Sequence, residues 1–318
     1  MYKLTDYCVC PECGSELIET KDALRCVYHK IDYEIKNGIP ILLPKKRTKL
    51  QVRYLDSYNQ LAKDDLVDPI EKNREIRHSA LRDFIGRVQG KKILDIGSSN
   101  LLLLQQTDAS FIVAFDIAVP YLEAIPSNDN IARVCGDAEF LPVDPNFFDL
   151  IIISDLLEHL LEPKRLVERL DRISNKKTRI IVHIPWEEDL SVYQDSKYEF
   201  THLRSFNNYR FSELWSGKLI ITRMKGTYPS LDQPIIFTLQ GKIPNFIYNL
   251  LIVLFYRTHR SFTYRIEHRR QIWIRELPKR ERWLLRFYKP KFRMFELRPL
   301  KGSFIYKILI LFRGIQRQ

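Results

Sequence analysis

The stretch from Lys91 to His159 limits the fold of this 318-residue chain more than any other part of it. Four short apolar runs follow one another there, 92–97, 111–116, 131–136 and 149–154, each bounded by turn residues and therefore read as a buried strand. They end at or beside Asp95-Ile96-Gly97, Asp116, Gly136-Asp137-Ala138 and Ser154-Asp155. Strands of this kind alternating with helical stretches predict a parallel, doubly wound α/β sheet with its ligand at the carboxyl ends of the strands. Gly97 allows close backbone approach, and a helix expected to start near Asn100 would offer unpaired N–H donors. About 20 residues further on, the carboxylate of Asp116 can accept both hydroxyls of a ribose, while Gly136-Asp137-Ala138 suits an adenine ring. The segment Asp95 to Asn100 has a single glycine where a dinucleotide fingerprint has three, which disfavours a nicotinamide or flavin domain.

Taken together, Leu94-Asp95-Ile96-Gly97, Phe115-Asp116, Gly136-Asp137-Ala138-Glu139-Phe140-Leu141-Pro142, Phe148-Asp149-Leu150-Ile151 and Leu157-Glu158-His159-Leu160 resemble the class I S-adenosylmethionine-dependent methyltransferases, of the type 11-like kind. The likeness spans roughly residues 75–240. It implies a Rossmann-like, mostly parallel seven-stranded sheet with S-adenosyl-L-methionine as cofactor. It also implies that Asp95, Gly97 and Ser98 line the methionine and ribose end, that Asp116 takes the ribose hydroxyls, that Asp137 and Ala138 meet the adenine, and that Ser154 lies near the sulfonium. Ser99 departs from the pattern, since the family usually has a second glycine there. That departure is the one support for a non-catalytic protein of the same fold, which would bind the cofactor or a partner without turnover.

Four of the five cysteines fall within the first 26 residues. Cys10-Pro11-Glu12-Cys13 and Cys26-Val27-Tyr28-His29 form two knuckles at a separation that lets four donors close a tetrahedron around zinc. Cys8 is a competing ligand, and a small β module that keeps its cysteines as core residues is the other reading. Alternation over residues 31–35, a turn at Asn37-Gly38 and an apolar run 39–43 predict further strands. Over about 40 residues this segment resembles the zinc-ribbon-like activators of methyltransferases, and also the zinc module at the front of certain rRNA guanine methyltransferases. The expected organisation is a module at 1–45, a linker or lid at 46–68 without a clear period, a cofactor-binding domain at 69–242 and an extension at 243–318. A helix is expected from Pro69 to Val88, stopped by Gly90.

Methyl transfer needs an oriented nucleophile and, for a hydroxyl, a base. His159 and His202 are the catalytic candidates. His183 lies inside an apolar strand and reads as structural, and Glu187-Glu188-Asp189 is either a source of a base or a solvated loop. No Asn-Pro-Pro-Tyr or Asp-Pro-Pro-Tyr follows the fourth strand, which argues against methylation of exocyclic base amines.

The net charge of +12 is local: residues 257–318 hold 18 Lys/Arg against 4 Asp/Glu, or +14. Together with the apolar runs 243–256 and 304–312, this basic helical extension suits an anionic membrane surface. A core-packed extension and an RNA-contacting tail are the other readings. Met1 to Asp6 lacks the basic-then-apolar start of a secretory signal. The expectation is therefore a cytoplasmic methyltransferase, peripheral at the inner face of the membrane, that O-methylates a glycan, a lipid-linked sugar or a related metabolite. An rRNA or tRNA methyltransferase is the alternative.

Overall fold

The computed structural model describes residues 2–69, 74–104, 107–173, 178–193, 196–215, 219–227, 235–238, 269–272 and 292–299. In chain order the elements are β1 (Leu17–Glu19), β2 (Ala23–Cys26), β3 (Asp32–Lys36), β4 (Ile39–Leu42), α1 (Lys49–Val67), α2 (Arg74–Ile85), β5 (Lys92–Ile96), β6 (Phe111–Asp116), α3 (Val119–Glu123), β7 (Ile131–Gly136), β8 (Leu150–Ser154), α4 (Pro163–Ile173), β9 (Arg179–Pro185), α5 (Asn208–Trp215), β10 (Leu219–Thr227), β11 (Ile235–Thr238), β12 (Arg269–Ile272) and β13 (Phe292–Pro299). They fall into two compact units, residues 1–225 with 293–318, and residues 226–292. In the second unit β11 and β12 pair antiparallel, from Ile235 opposite Ile272 to Thr238 opposite Arg269.

The first unit is built on one sheet of eleven strands in the order β1-β2-β3-β4-β7-β6-β5-β8-β9-β13-β10. The sheet is larger than the seven strands expected, because the four strands of the N-terminal module, expected as a separate piece, continue the seven from β7 to β10. Ile41 and Leu42 of β4 pair in parallel with Cys135 and Gly136 of β7. β5 pairs in parallel with β6 on one side and with β8 on the other, and strand order reverses there, the place where open α/β sheets bind ligands.

Both faces of the sheet are covered, which is why its strands read as unbroken apolar runs. Leu94, Val113, Phe115, Ile151 and Val182 pack on one face with α4 (Leu166, Val167, Leu170), α5 (Phe211, Trp215) and the module residues Tyr7, Leu24 and Tyr33. Ile93, Ile112, Ala114, Ile152 and Ile181 pack on the other with Leu81, Phe84 and Ile85 of α2 and Leu122 of α3. Adjacent residues of one strand, such as Ile93 and Leu94, thus serve opposite layers.

Several local expectations are corrected. Within the segment 46–68, expected as a linker or lid without a clear period, Lys49–Val67 form the 19-residue helix α1, started by a capping box in which Thr48 Oγ1 accepts from Gln51 N (3.2 Å) and Gln51 Oε1 accepts from Thr48 N (2.9 Å). The helix predicted from Pro69 to Val88 is described from Arg74 and ends at Ile85, where Gly86 turns to φ +75°. Near Asn100 the chain makes turns in place of a helix, and after Asp155 a turn at 157–159 precedes α4. Most of 243–318, including the expected basic helices and the apolar runs 243–256 and 304–312, lies outside the described residues; those described there, 269–272 and 292–299, are strands. Among the described residues no helix is long and apolar enough to cross a membrane.

Gly136 closes β7 in a crowded place. A Cβ added there would lie 2.8 Å from Phe115 Cε2, Phe115 Cζ and Pro142 Cγ. Gly136→Ala is expected to destabilise the chain by about 1–3 kcal/mol, seen as a lower midpoint in urea denaturation.

Candidate functional site

Parallel register brings the carboxyl ends of β5, β6, β7 and β8 to one level, and a cavity of ≈ 220 Å³ opens beside them. Asp95, Gly97, Ser98, Asp116, Asp137, Ala138, Ser154 and His159, all singled out in the sequence, line it. Gly97 takes φ +77°, and a Cβ there would press on Leu156 at 3.1 Å. Gly97 N and Ser98 N donate to Phe115 O at 2.8 and 3.1 Å, which folds the loop over the end of β6. Ser99, in place of the usual second glycine, still adopts a left-handed φ of 50°. From there its N–H donates to Asp116 Oδ2, while Ala118 N donates to Oδ1, both at 2.9 Å. Asn100 Oδ1, on the cavity wall, is buried with no hydrogen-bond partner among the described residues, so the wall keeps an acceptor for a ligand.

Burial lifts the carboxyl of Asp95 to about 7, with the Asp116 charge adding to the effect. Burial likewise lifts Asp116 to about 6, against the pull of the backbone N–H groups of Ala118, Ser99 and Ile117. Asp137 is raised by burial, opposed by the Glu139 N–H that bonds its Oδ1 at 2.9 Å. Buried acids of this kind are tuned to meet positive charge or hydroxyl donors.

Beyond the strand ends the wall is made by residues that the sequence alone did not single out. Tyr54, Tyr58 and Leu61 of α1 and Arg77 of α2 line the cavity. α1 is held by Tyr121 Oη donating to Asp65 (2.8 Å), by Val119 N donating to Asn59 (3.2 Å) and by Tyr58 Oη donating to Phe200 O (3.0 Å). Arg77 pairs with Asp155, which also faces His183 Nδ1 at 2.9 Å. Burial opposes ionisation of Asp155, but the charges of Arg77 and His183 outweigh it and hold the carboxyl below the usual range. His183 is fully buried in β9, and Ser154 Oγ also sits 3.3 Å from its Nδ1.

The two histidines chosen from the sequence meet here. The rings of His159 and His202 are 4.7 Å apart, edge to face. His202 Nδ1 lies 2.6 Å from Glu188 Oε2, and Tyr193 Oη donates to Glu188 Oε1 at 3.0 Å. Of the acidic run 187–189, Glu188 is therefore the member tied to a histidine. Burial, and then the charge of His202, push His159 down to about 3 and keep it neutral.

The donor atoms of Cys10, Cys13, Cys26 and His29 lie within 4.8 Å of one another, and Cys8 is not among them. Cys13 Sγ and Cys26 Sγ are 3.8 Å apart. Each knuckle closes with an N–H to the carbonyl four residues back, Gly14 to Cys10 (2.8 Å) and Lys30 to Cys26 (3.0 Å), and both closing residues are left-handed. A donor set of three sulfurs and one imidazole suits a structural metal ion. Cys8 is buried inside the core, where burial pushes its thiol up.

The raised carboxyl of Asp95 has a consequence for stability. With a folded-state value of about 7 against 3.8, its contribution is present at pH 4 and lost as the pH rises through 7. Asp95→Asn is expected to raise the urea midpoint of the ligand-free chain at pH 8 and to flatten its change between pH 4 and 7.

Residues 94–182 match the family described as "Methyltransferase domain". The chain is 28% identical over 118 residues to a demethylmenaquinone methyltransferase of Clavibacter sepedonicus, a match covering 35% of this chain and 47% of that protein. It thus spans about half the length of that relative. It is 33% identical over 57 residues to a UPF0434 protein of Alteromonas mediterranea, covering 17% of this chain and 89% of the relative. Among solved structures, a chain of the complex containing the Haloferax volcanii Trm112 methyltransferase activator superposes with a TM-score of 0.52 at 12% identity, over 79% of this chain and 98% of that one, a likeness of fold. Residues 94–182 thus resemble a methyltransferase domain on an α/β fold shared with that solved structure, and over 57 residues the chain belongs to the UPF0434 family.

Proposed function

We propose that the chain transfers a methyl group from S-adenosylmethionine to a hydroxyl of a glycan, a lipid-linked sugar or a related small metabolite. The observation that carries this reading is the cavity itself, where buried Asp95 and Asp116 at the switch point of the sheet share one space with His159. Asp116 would hold the ribose hydroxyls, Asp137 and Ala138 the adenine, and Asp95, Gly97, Ser98 and Ser154 the methionine end. The cofactor, when bound, supplies an electrophilic methyl on sulfur. The protein's part is to orient the acceptor oxygen in line with it and to assist loss of the hydroxyl proton. His159 and His202 are the groups that face the acceptor, with Glu188 fixing the ring of His202.

At Cys10, Cys13, Cys26 and His29 we assign a structural zinc ion. Because β4 of that module pairs directly with β7, the module serves as a built-in support for the adenine side of the cavity, a role like that of a separate activator subunit. The basic residues beyond 257 are assigned to an anionic membrane surface at the cytoplasmic side, where lipid-linked acceptors are presented.

Isothermal titration tests the cofactor reading. Binding of S-adenosylmethionine by the full chain should weaken by roughly 10–100-fold in Asp116→Ala, the loss of hydrogen bonds to a charged group. It should also weaken as the pH falls from about 7 to about 6, where Asp95 and Asp116 take up protons. Absence of binding by the wild-type chain would overturn the reading. Transfer of labelled methyl to extracted glycolipids is the expected outcome of an acceptor screen, and label found only in RNA would replace it with the nucleic-acid alternative. Removal of zinc by a chelator should lower the melting temperature of the whole first unit, measured by circular dichroism.

A further inference from the structure

We propose that Glu158, His159 and His202 form a second metal site, one that holds a first-row divalent cation on the acceptor side of the cavity. Their ligand atoms lie within 4.8 Å of one another. Glu158 is 1% exposed, and among the described residues neither of its carboxylate oxygens has a hydrogen-bond partner. An ionised carboxylate left in that condition is costly unless a cation or a proton meets it. His159 Nδ1 is also buried without a partner, in a ring that lies beside the Phe200 backbone. Two vacant donors on neighbouring residues therefore face the same place as a second imidazole.

The surroundings are those of a supported ligand set. His202 Nδ1 is engaged by Glu188 at 2.6 Å, and Glu188 is itself held by Tyr193. A carboxylate on one imidazole nitrogen fixes the tautomer and leaves Nε2 as the ligating atom. The two segments that carry the donors are stitched together. Leu203 N donates to Glu158 O at 2.8 Å. Arg204 donates to the carbonyls of Leu157 (3.1 Å), Leu160 and Leu161 (3.0 Å). The donors thus need little reorganisation to close on an ion. Two imidazoles and one carboxylate suit a divalent ion such as manganese or iron with coordination positions left open.

The inference rests on the transfer reading for its use: His159 lines the cavity that also holds Asp95, Asp116 and Ser154. An acceptor hydroxyl bound to the ion would lose its proton to water more readily. The resulting oxygen forms the O–CH₃ bond as the S–CH₃ bond breaks, with the electron pair of that bond returning to sulfur. His159 and His202 would then act through the metal, and no protein base is required at the moment of transfer.

Manganese titration of the full chain separates this site from the zinc module, because a thiolate-rich donor set disfavours manganese. Loss of the free Mn²⁺ signal in electron paramagnetic resonance should report one bound equivalent in the wild-type chain. Affinity should fall at least about tenfold in Glu158→Gln and in His202→Ala, as expected when one of three ligands is removed. Glu158→Gln keeps the shape of the side chain, and unchanged binding of S-adenosylhomocysteine will show that it is folded. Absence of manganese binding by the wild type, or equal binding by both variants, overturns the metal site. If S-adenosylhomocysteine still binds in that case, the transfer reading stands and only this inference falls. If manganese binds as expected and the cofactor product does not, the metal site stands and the transfer reading falls.

Discussion

Parallel pairing of β5 with β6 on one side and β8 on the other is the constraint on which the other features depend. It sets Asp95 and Ile96 level with Ala114 and Phe115, and with Ile152 and Ile153, so the loops that follow leave the sheet at one height. Because strand order reverses at β5, the loops after β5 and β8 diverge to opposite faces and open a crevice. The acids at the strand ends occupy that crevice because nothing in the sheet can move them elsewhere. Their burial raises their carboxyls, so the ligand-free site carries a cost that a cationic ligand relieves.

The remainder of the site is assembled from long-range pieces. α1 lends two tyrosines to the wall of the crevice and is held to α3 by Asp65 and Asn59 and to the loop near Phe200 by Tyr58. That loop continues into His202, which Leu203 and Arg204 fix against the turn carrying Glu158 and His159. The half of the cavity at the strand ends thus depends on neighbours in the sheet, and the half near His159 and His202 on hydrogen bonds between loops.

This division explains what could be read from the sequence. β5, β6, β7 and β8 were legible because strands buried on both faces are written as apolar runs, and their terminal acids stand at fixed offsets. The knuckles at Cys10 and Cys26 were legible because the side chains that cluster there are close in sequence. α1 was not, since of its 19 residues only Tyr54, Ala62 and Asp65 are buried, too few to make a period. Where a helix was expected near Asn100, the described residues make turns, with Ser99 and Leu101 at φ of 50° and 62°, which no right-handed helix allows. Glu188 beside His202 and Arg77 beside Asp155 are tertiary pairings with no local signature; among three acids in a row, only the fold selects which one meets the imidazole.

The junction of β4 with β7 has one more effect. Without the module, β7 would be the outer strand, with a row of unpaired N–H and C=O groups able to recruit another chain. The module occupies that edge and then steps outward through antiparallel strands to β1, which is three residues long and mostly exposed. So short a border offers little template for pairing. The two cysteine knuckles therefore sit where they guard the sheet against aggregation, and unravelling them would expose a sticky edge as well as loosen a domain.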